Sequence, residues 1–380
     1  MKIRLGVIGA GKRGWLAALA HRPDAGVRVV ACCDLEEAAL KQCRERYGME
    51  IFTTRDYREL LAQDLDAVFV TSPDFCHEEH AIAALNAGCA VYLEKPMALT
   101  VEGCDRIWAA ASNSGSKLYL GHNMRHMPFV LAMKDLIAAG EIGEVKTIWC
   151  RHFVGHGGDY YFKDWHAERS GSNGLLLQKG CHDIDIIHWL AGAYSCRVNA
   201  MGDLMIYGNI TDRQQPGGPR PSVEDLTAWP PDRQTLLNPL VDVEDVSLVN
   251  MVLTNGVLAS YQQCHFTPDY WRSYTVIGSA GRMENFGDGA KGTVIKVWNK
   301  RHAGYDDQAD KVVPVATEEG AHGGADTRIV DEFLAYVRNQ AQPSTSPVDA
   351  RQSVATAAAA TDSLRHGGRA VEVSIIAPKE

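Results

Sequence analysis

The glycine-rich turn near the N-terminus constrains the fold of this chain more than any other feature. Residues 5–8 form an apolar run typical of a strand, and the next six residues are Gly9-Ala10-Gly11-Lys12-Arg13-Gly14. In the pattern Gly-x-Gly-x-x-Gly, the first glycine permits a tight turn and the second lets the backbone approach a pyrophosphate, while the third lets the following helix pack closely on the strand. Free amide groups at the start of that helix attract phosphate. The turn therefore predicts that Gly9, Gly11 and Gly14 lie against a dinucleotide.

Asp34 is a second, independent feature that a dinucleotide-binding site requires. It follows the second predicted strand, twenty positions after Gly14, where an acid is expected to bind the ribose 2′-hydroxyl. A 2′-phosphate would be repelled there by about 4 kcal/mol per unit charge at a separation of 4 Å and an effective dielectric constant of 20. We therefore expect NAD rather than NADP as the cofactor. Lys12 and Arg13 are also expected to contact it, and their charge weakens this preference.

The hydrophobic periodicity predicts two domains of different architecture. Up to residue 122, short apolar runs alternate with helical stretches, which is typical of a doubly wound parallel sheet. After residue 122, helices are followed by many strands, which predicts an α+β domain with a large, mostly antiparallel open sheet. We expect an N-terminal α/β domain over residues 1–122 and a second domain over 123–380, whose last helix is free to pack back on the first. The proline-rich stretch 209–240 lacks periodicity and is interpreted as a cap, a subunit contact or a plain surface loop.

Composition excludes several classes of function. The net charge of −9 gives no basic surface for nucleic acid. No run of 18 apolar residues is present, and the N-terminus lacks the apolar core of a secretion signal. Ten scattered cysteines without a Cys-x-x-Cys pair fit a reduced, cytoplasmic protein. His77 and His80 are three residues apart, not the four of a zinc-protease helix, so we expect no metal site.

Glu94-Lys95-Pro96 follows a short apolar strand of the first domain. Open α/β sheets bind ligands at the carboxyl ends of their strands, and a lysine there is able to hold an alcohol oxygen as it gains negative charge. The alternative is a surface Lys-Pro turn without a catalytic role.

A helix of the second domain carries the other candidate catalytic group. Gln178, His182 and Asp185 are spaced i, i+4 and i+7, which predicts one helical face. Histidine titrates near neutral pH and can accept a hydroxyl proton, although a buried structural histidine is an open alternative. Just upstream, Trp165 is a candidate to stack on a sugar ring, and His166 and Arg169 are candidates to bind hydroxyls or an anion. Structural roles are equally open for these three.

Taken together, six segments of the chain resemble the glucose–fructose oxidoreductase and inositol dehydrogenase family. They are Val7–Gly11, Asp34, Thr71-Ser72-Pro73 with His77, Glu94-Lys95-Pro96, Gly121-His122-Asn123 and Gly180–Asp185. The resemblance implies that Lys95 lies at the hydride-transfer site and that His182 is the catalytic histidine, with Asp185 holding substrate hydroxyls. It also implies nucleotide contacts and substrate contacts for a further group of residues: Thr71, Ser72, Pro73, His77 and Glu94 for the nucleotide, and Asn123 and His322 for the substrate.

One position departs from that family. Many members carry an aspartate four residues before the histidine, whereas this chain has Gln178. Glutamine can orient an imidazole ring but cannot stabilise its positive charge.

The sequence thus predicts a homo-oligomeric, NAD-dependent oxidoreductase, a dimer or tetramer, that acts on a sugar, a sugar derivative or a cyclitol. Lys95 and His182 are expected to bracket the reacting C–O bond. Two alternatives stay open. One, kept open by the departure at Gln178, is a glycoside hydrolase that uses NAD transiently, by oxidation, elimination and re-reduction. The second alternative is a non-enzymatic sensor of dinucleotide or sugar. The presence of Lys95 and His182 argues against a sensor.

Overall fold

The structure, a computed structural model, describes residues 2–215, 228–289, 291–316 and 320–376. The chain divides into two compact units, which are described separately. The first comprises Met1–His126 and Gly324–Arg351, and the second comprises Met127–Gly323 and Gln352–Glu380. A late segment of the chain therefore belongs to the first unit. The functional division at residues 122 and 123 stays a prediction.

The first unit contains a six-stranded sheet in which every pair of neighbouring strands is parallel. All residues of its fourth and fifth strands are buried, as expected for a parallel sheet covered on both faces. The strand order is β3-β2-β1-β4-β5-β6, which confirms the predicted doubly wound sheet. The strands are β1 Ile3–Ile8, β2 Val27–Cys33, β3 Phe52–Thr54, β4 Ala67–Val70, β5 Ala90–Leu93 and β6 Leu118–Leu120, and the helices are α1 Leu16–Ala20, α2 Glu37–Tyr47, α3 Tyr57–Leu61, α4 His77–Asn86 and α5 Val101–Ser114.

This strand order creates a switch point between β1 and β4. The chain runs outward from β1 through β2 to β3, and then returns to the other side of β1. Crossovers on opposite sides of a strand leave a crevice at its carboxyl end, where open α/β sheets bind ligands. β1 is followed there by Gly9, and β4 is followed by Thr71.

The second unit contains a nine-stranded sheet with the order β14-β13-β12-β11-β7-β10-β9-β8-β15. Among the described strands of this second sheet, only the pairing of β7 with β10 is parallel. The predicted large, mostly antiparallel sheet is confirmed. The strands are β7 Val145–Val154, β8 Ser195–Asp203, β9 Val246–Leu253, β10 Leu258–Cys264, β11 Tyr270–Gly278, β12 Arg282–Phe286, β13 Val294–Trp298, β14 Lys311–Pro314 and β15 Val371–Glu372, and the helices are α6 Pro128–Ala138, α7 Gly157–Tyr160, α8 Arg169–Ser172, α9 Leu175–Gln178 and α10 Gly180–Ala191.

The buried face of this sheet changes from apolar to polar along the strands. Residues that pair across the strands form rows, and all members of the three rows are buried. One row is entirely apolar (Met251, Ala259, Ile148, Val276 and Met283), the next is mixed (Val249, Tyr261, Cys150 and Tyr274), and the third is entirely polar (Ser247, Gln263, His152 and Arg272). The apolar row stabilises the unit, and the polar row provides groups for a site.

The helix α11, Ala325–Val337, belongs to the first unit although it is late in the sequence. Its apolar residues join the core formed by the strands, and the Phe333 ring packs edge-on against Phe69 and Tyr92. Lys117 donates hydrogen bonds to the last carbonyls of the helix, at 2.5 Å to Tyr336 and 3.0 Å to Val337. The final long helix, α12 Pro347–Arg365, belongs to the first unit through Arg351 and to the second from Gln352.

The strand β8 ends at Asp203, because the Asp245 carboxylate accepts the amides of Met205, Ile206 and Tyr207 and turns the chain. Of the proline-rich stretch 209–240, residues 216–227 lie outside the described residues, and the role of the stretch stays a prediction. In the part of the chain that the structure describes, no helix is long and apolar enough to cross a membrane.

Candidate functional site

The glycine turn of the first unit is shaped by close backbone contacts. Gly9 has φ +86°, and a Cβ atom there would lie 2.4 Å from the amide nitrogen of Ser72. A Cβ atom on Gly14 would lie 2.6 Å from the Gly9 carbonyl oxygen, and the Thr71 hydroxyl donates to that same oxygen at 2.7 Å. Larger residues would therefore push the turn apart. A tight glycine turn after the first strand is the backbone shape that a dinucleotide pyrophosphate requires.

Asp34 stands beside this turn at the end of β2. Its Oδ1 atom accepts the Glu36 amide at 2.9 Å, which fixes the carboxylate. Its Oδ2 atom lies 3.5 Å from the point where a Cβ atom on Gly11 would be. The structure therefore brings together the glycines and the acid that the sequence singles out, as a ribose–pyrophosphate site requires.

Arg13 has a different environment from the one predicted. The sequence predicts that it contacts the cofactor, but its guanidinium binds Glu94 (Nε to Oε1, 2.7 Å) and both carboxylate oxygens of Asp326 (2.9 and 3.1 Å). Burial opposes its charge, yet these two carboxylates raise the pKa of Arg13 well above its usual value. Two acids thus neutralise this cation, while Lys12 is exposed at the same turn.

Glu94 and Lys95 follow β5, and the neighbouring strand β4 is followed by Thr71-Ser72-Pro73. The Glu94 carboxylate is buried; it accepts the Lys95 amide at 3.1 Å and the Tyr92 hydroxyl at 3.4 Å. Glu94 thereby fixes the backbone at Lys95. The predicted cofactor residues of the first unit therefore lie along one edge of the sheet, at the ends of β1, β2, β4 and β5.

His77 is buried beneath this edge and differs from the prediction that it lines the nucleotide. Its Nδ1 atom lies 2.7 Å from the carbonyl oxygen of Pro96, and its Nε2 atom lies 2.9 Å from that of Ser72. Both ring nitrogens therefore face protein backbone. Burial lowers the pKa of His77. The neighbouring His80 contacts the Ser72 hydroxyl at 2.9 Å, and burial lowers the pKa of His80 to about 4.

Asn123 and Asp326 complete the cluster around Arg13. The Asn123 amide donates to Asp326 Oδ1 at 3.0 Å, so this predicted substrate ligand helps to fix an acid of the first unit. His322 is exposed to solvent, and its backbone adopts the left-handed conformation (φ 54°, ψ 34°). Sequence reasoning predicts the return of the segment around His322, but it misses Asp326 as the buried residue of that segment that reaches Arg13.

In the second unit, His182 and Asp185 are both buried in α10. The predicted single helical face including Gln178 is wrong in detail, because α9 ends at Gln178 and α10 begins at Gly180. The amide of His182 bonds at 3.4 Å to the carbonyl of Lys179, an i→i−3 contact of the kind that tightens a helical turn. Gly180 allows this break to lie close to Tyr261, since a Cβ atom there would be 2.9 Å from the Tyr261 ring.

Asp183, which sequence reasoning leaves out of the site, is the centre of a buried network. It accepts hydrogen bonds from Arg272 (Nε, 3.1 Å), Tyr261 (3.1 Å), His152 (3.1 Å) and Tyr274. Burial alone would raise the pKa of Asp183, but Arg272 and His152 hold it below the ordinary value. Burial and Arg272 lower the pKa of His152 to about 3. This network fixes α10, and with it His182, on strands β7, β10 and β11.

The other predicted substrate residues make contacts within the second unit. The Trp165 ring stacks on His166 with centroids 3.7 Å apart, and His166 Nδ1 bonds to Asp164. Arg169 binds Glu244 at 3.0 Å, a carboxylate that Arg365 also binds. Roles for Trp165, His166 and Arg169 toward a substrate therefore stay predictions. Among the described residues, no three His, Cys, Asp or Glu side chains are arranged to hold a metal ion.

Two sequence models of one family match the chain. Residues 3–122 match the oxidoreductase family with an NAD-binding Rossmann fold, and residues 134–373 match the C-terminal alpha/beta domain of that family. The two matches lie on the parallel sheet and on the nine-stranded sheet respectively.

Individual relatives agree with these matches. The protein YteT of Bacillus subtilis (strain 168) is 25% identical over 308 residues, covering 71% of this chain and 72% of that protein. An inositol 2-dehydrogenase/D-chiro-inositol 3-dehydrogenase of Halalkalibacterium halodurans is 34% identical over 194 residues, covering 50% of this chain. That match spans 53% of the relative, so the chain covers about half the length of such inositol dehydrogenases.

A solved structure shares the fold. Levoglucosan dehydrogenase, in complex with NADH and levoglucosan, superposes with a TM-score of 0.78 and covers 98% of this chain and 100% of its own. At 20% identity, this likeness establishes the fold alone. With both family models matched across most of the sequence, the chain belongs to the Gfo/Idh/MocA oxidoreductase family.

Proposed function

We propose that this protein is an NAD-dependent oxidoreductase that transfers hydride between nicotinamide and a hydroxyl or carbonyl carbon of a sugar, a sugar derivative or a cyclitol. The observation that carries the proposal is the packing of the glycine turn: Gly9 against Ser72, and Gly11 beside the Asp34 carboxylate. The relatives named as inositol dehydrogenases and the fold shared with a levoglucosan dehydrogenase support the substrate class.

The first unit would hold the cofactor. Amides of residues 9–14 would bind the pyrophosphate, and Asp34 would accept the ribose hydroxyls. NAD is favoured over NADP because Asp34 repels a 2′-phosphate, and because the nearby Arg13 is already neutralised by Glu94 and Asp326. Thr71, Ser72 and Pro73 would contact the nucleotide from the adjacent strand end.

The chemistry assigned to the chain needs one cation and one base. When bound, the nicotinamide supplies the position that accepts or donates hydride. The Lys95 ammonium holds the substrate oxygen and stabilises its negative charge in the transition state. His182 accepts the hydroxyl proton in oxidation and returns it in reduction. Asp185 accepts hydrogen bonds from neighbouring substrate hydroxyls.

A substrate panel tests this proposal. The purified protein is incubated with sugars, cyclitols and aryl glycosides in the presence of NAD, and NADH is followed by absorbance while released aglycone is followed separately. Net NADH formation is the expected result. Aglycone release that needs only trace NAD would identify a redox-assisted glycoside hydrolase, and binding without turnover would identify a sensor; either outcome contradicts net dehydrogenation.

We also propose that the second unit associates with another copy of the chain. The outward face of its sheet carries exposed apolar side chains on neighbouring strands: Trp149, Leu258, Leu248 and Met201. An apolar patch of this kind is unfavourable in water and is typical of subunit contacts. A homodimer or tetramer would cover it.

A further inference from the structure

His77 connects two segments of the first unit that the proposed function uses for different tasks. Ser72 belongs to the segment after β4 that is assigned to the nucleotide, and Pro96 directly follows the proposed catalytic Lys95. The His77 ring lies between their carbonyl oxygens, at 2.9 Å and 2.7 Å, and the residue is 1% exposed. One buried side chain therefore touches both segments.

The segment on the Ser72 side is itself fixed to the glycine turn. The Thr71 hydroxyl donates to the Gly9 carbonyl at 2.7 Å, and the backbone of Gly9 packs directly on the Ser72 amide. A chain of contacts therefore runs from the phosphate-binding turn through Ser72 and His77 to Pro96.

Lys95 is held from two sides by this arrangement. On its N-terminal side, the Glu94 carboxylate accepts the Lys95 amide at 3.1 Å and is itself held by Arg13. On its C-terminal side, the Pro96 carbonyl is held by His77. Carbonyl oxygens only accept hydrogen bonds, so only the ring nitrogen that carries a proton donates, and a neutral ring donates to one carbonyl at a time.

We propose that His77 is a positioning residue that sets the backbone of the Lys95 segment relative to the nucleotide-binding segment at Thr71–Pro73. It contacts neither cofactor nor substrate and acts through the carbonyls of Pro96 and Ser72. Its effect on hydride transfer rests on the proposed function, whereas its effect on the two backbone segments does not.

Two substitutions separate the two contacts. The amide nitrogen of asparagine is as many bonds from Cα as histidine Nδ1, and that of glutamine is as many as Nε2. His77→Asn should therefore keep the contact with Pro96 and lose that with Ser72, and His77→Gln should do the reverse. Hydrogen–deuterium exchange of peptides covering residues 93–99 and 70–76 measures each segment, and peptides from β1 and β2 report whether the variant is folded.

We expect faster exchange, by about tenfold for the loss of one hydrogen bond, in residues 93–99 of His77→Gln and in residues 70–76 of His77→Asn. His80→Ala is the matched control, because the contact that His80 makes with these two segments is to the Ser72 hydroxyl. This variant should leave the exchange rate of residues 93–99 unchanged. Equal exchange of residues 93–99 in wild type and a folded His77→Gln variant would overturn the proposal.

A second measurement does not depend on the variants. In the wild-type protein labelled with ¹⁵N-histidine, a ring N–H of His77 should be protected from exchange with solvent. If no ring N–H of His77 is protected, the proposal is also overturned. In kinetics, His77→Gln should lower kcat by about tenfold with little change in the Kd of NADH. If the exchange pattern holds but no substrate is turned over by wild type, then the proposed function fails and the positioning role stands.

Discussion

Lys95 is the residue on which the proposed chemistry depends most. Its backbone amide is held by Glu94, and its ammonium is the group assigned to the substrate oxygen. Removing one preorganised charge partner of a developing oxyanion typically costs a factor of about 10²–10³ in kcat.

Lys95→Ala should therefore lower kcat by about 10²–10³, because the substrate oxygen loses its charge partner, while the Kd of NADH changes by less than about twofold. Steady-state kinetics and NADH fluorescence titration measure the two effects. Lys12→Ala is the matched control, since this exposed lysine lies at the phosphate turn and should weaken NADH binding without lowering kcat. Equal loss of binding and turnover in Lys95→Ala would remove the role given to Lys95.

Asp34 is expected to determine the choice between NAD and NADP. Asp34→Ser removes the charge that repels a 2′-phosphate and should raise the ratio of kcat/KM for NADP over NAD by about 100-fold. Glu36→Ala, a nearby exposed acid, is the control and should leave that ratio within about threefold. An unchanged ratio in Asp34→Ser would show that this carboxylate does not face the ribose.

At the scale of elements, α10 is fixed to its sheet by a charge rather than by apolar packing alone. Asp183→Asn leaves Arg272 buried without its counterion, which should lower the free energy of unfolding of the second unit by about 3–5 kcal/mol. Urea unfolding followed by fluorescence measures this. The double variant Asp183→Asn with Arg272→Met should lose less than the sum of the single losses; strict additivity would contradict a coupled pair.

The same network gives the second unit a pH dependence. The pKa of His152 is lowered to about 3 in the folded protein and is about 6.5 in the unfolded chain. As the pH falls below 6.5, only the unfolded chain binds this proton, so His152 lowers the free energy of unfolding by about 1.4 kcal/mol per pH unit. The contribution of Asp183, whose folded pKa is depressed, is fully present above its ordinary pKa of about 4 and is lost at lower pH.

His152→Gln should therefore flatten the dependence of stability on pH between 6 and 4.5, where Asp183 is still ionised. Urea unfolding of both proteins at several pH values in this window provides the comparison. Parallel curves for wild type and variant would show that His152 is not kept neutral by burial.

These elements also show what the sequence is able to predict. The strands β1, β4 and β5 and the turn after β1 follow from local patterns, because apolar runs and glycine spacing are read along the chain. β3 and α3 do not follow from such patterns, because both are short and neither has a long apolar run. The partners of Asp183 come from three different strands, and Asp326 pairs with Arg13 across more than 300 positions. Such contacts depend on the tertiary fold, so the residues are visible in the sequence but their pairing is not.

At the scale of the whole molecule, the exposed apolar face of the nine-stranded sheet predicts self-association. Trp149→Glu places a charge in the centre of this face and should shift the protein to monomer, whereas Lys146→Glu, which also adds negative charge on β7, is the control for charge alone. Light scattering after size-exclusion chromatography measures the mass. A wild-type monomer, or an unchanged oligomer in Trp149→Glu, would contradict this interface.

The central claim is that the first unit binds a nicotinamide dinucleotide along the ends of β1, β2, β4 and β5. A crystal structure of the protein with NADH tests it most directly. We predict the pyrophosphate on the amides of residues 9–14, the ribose hydroxyls on Asp34 and the nicotinamide ring beside the Lys95 ammonium. Density for NADH elsewhere, or a ring directed away from Lys95, would contradict the account.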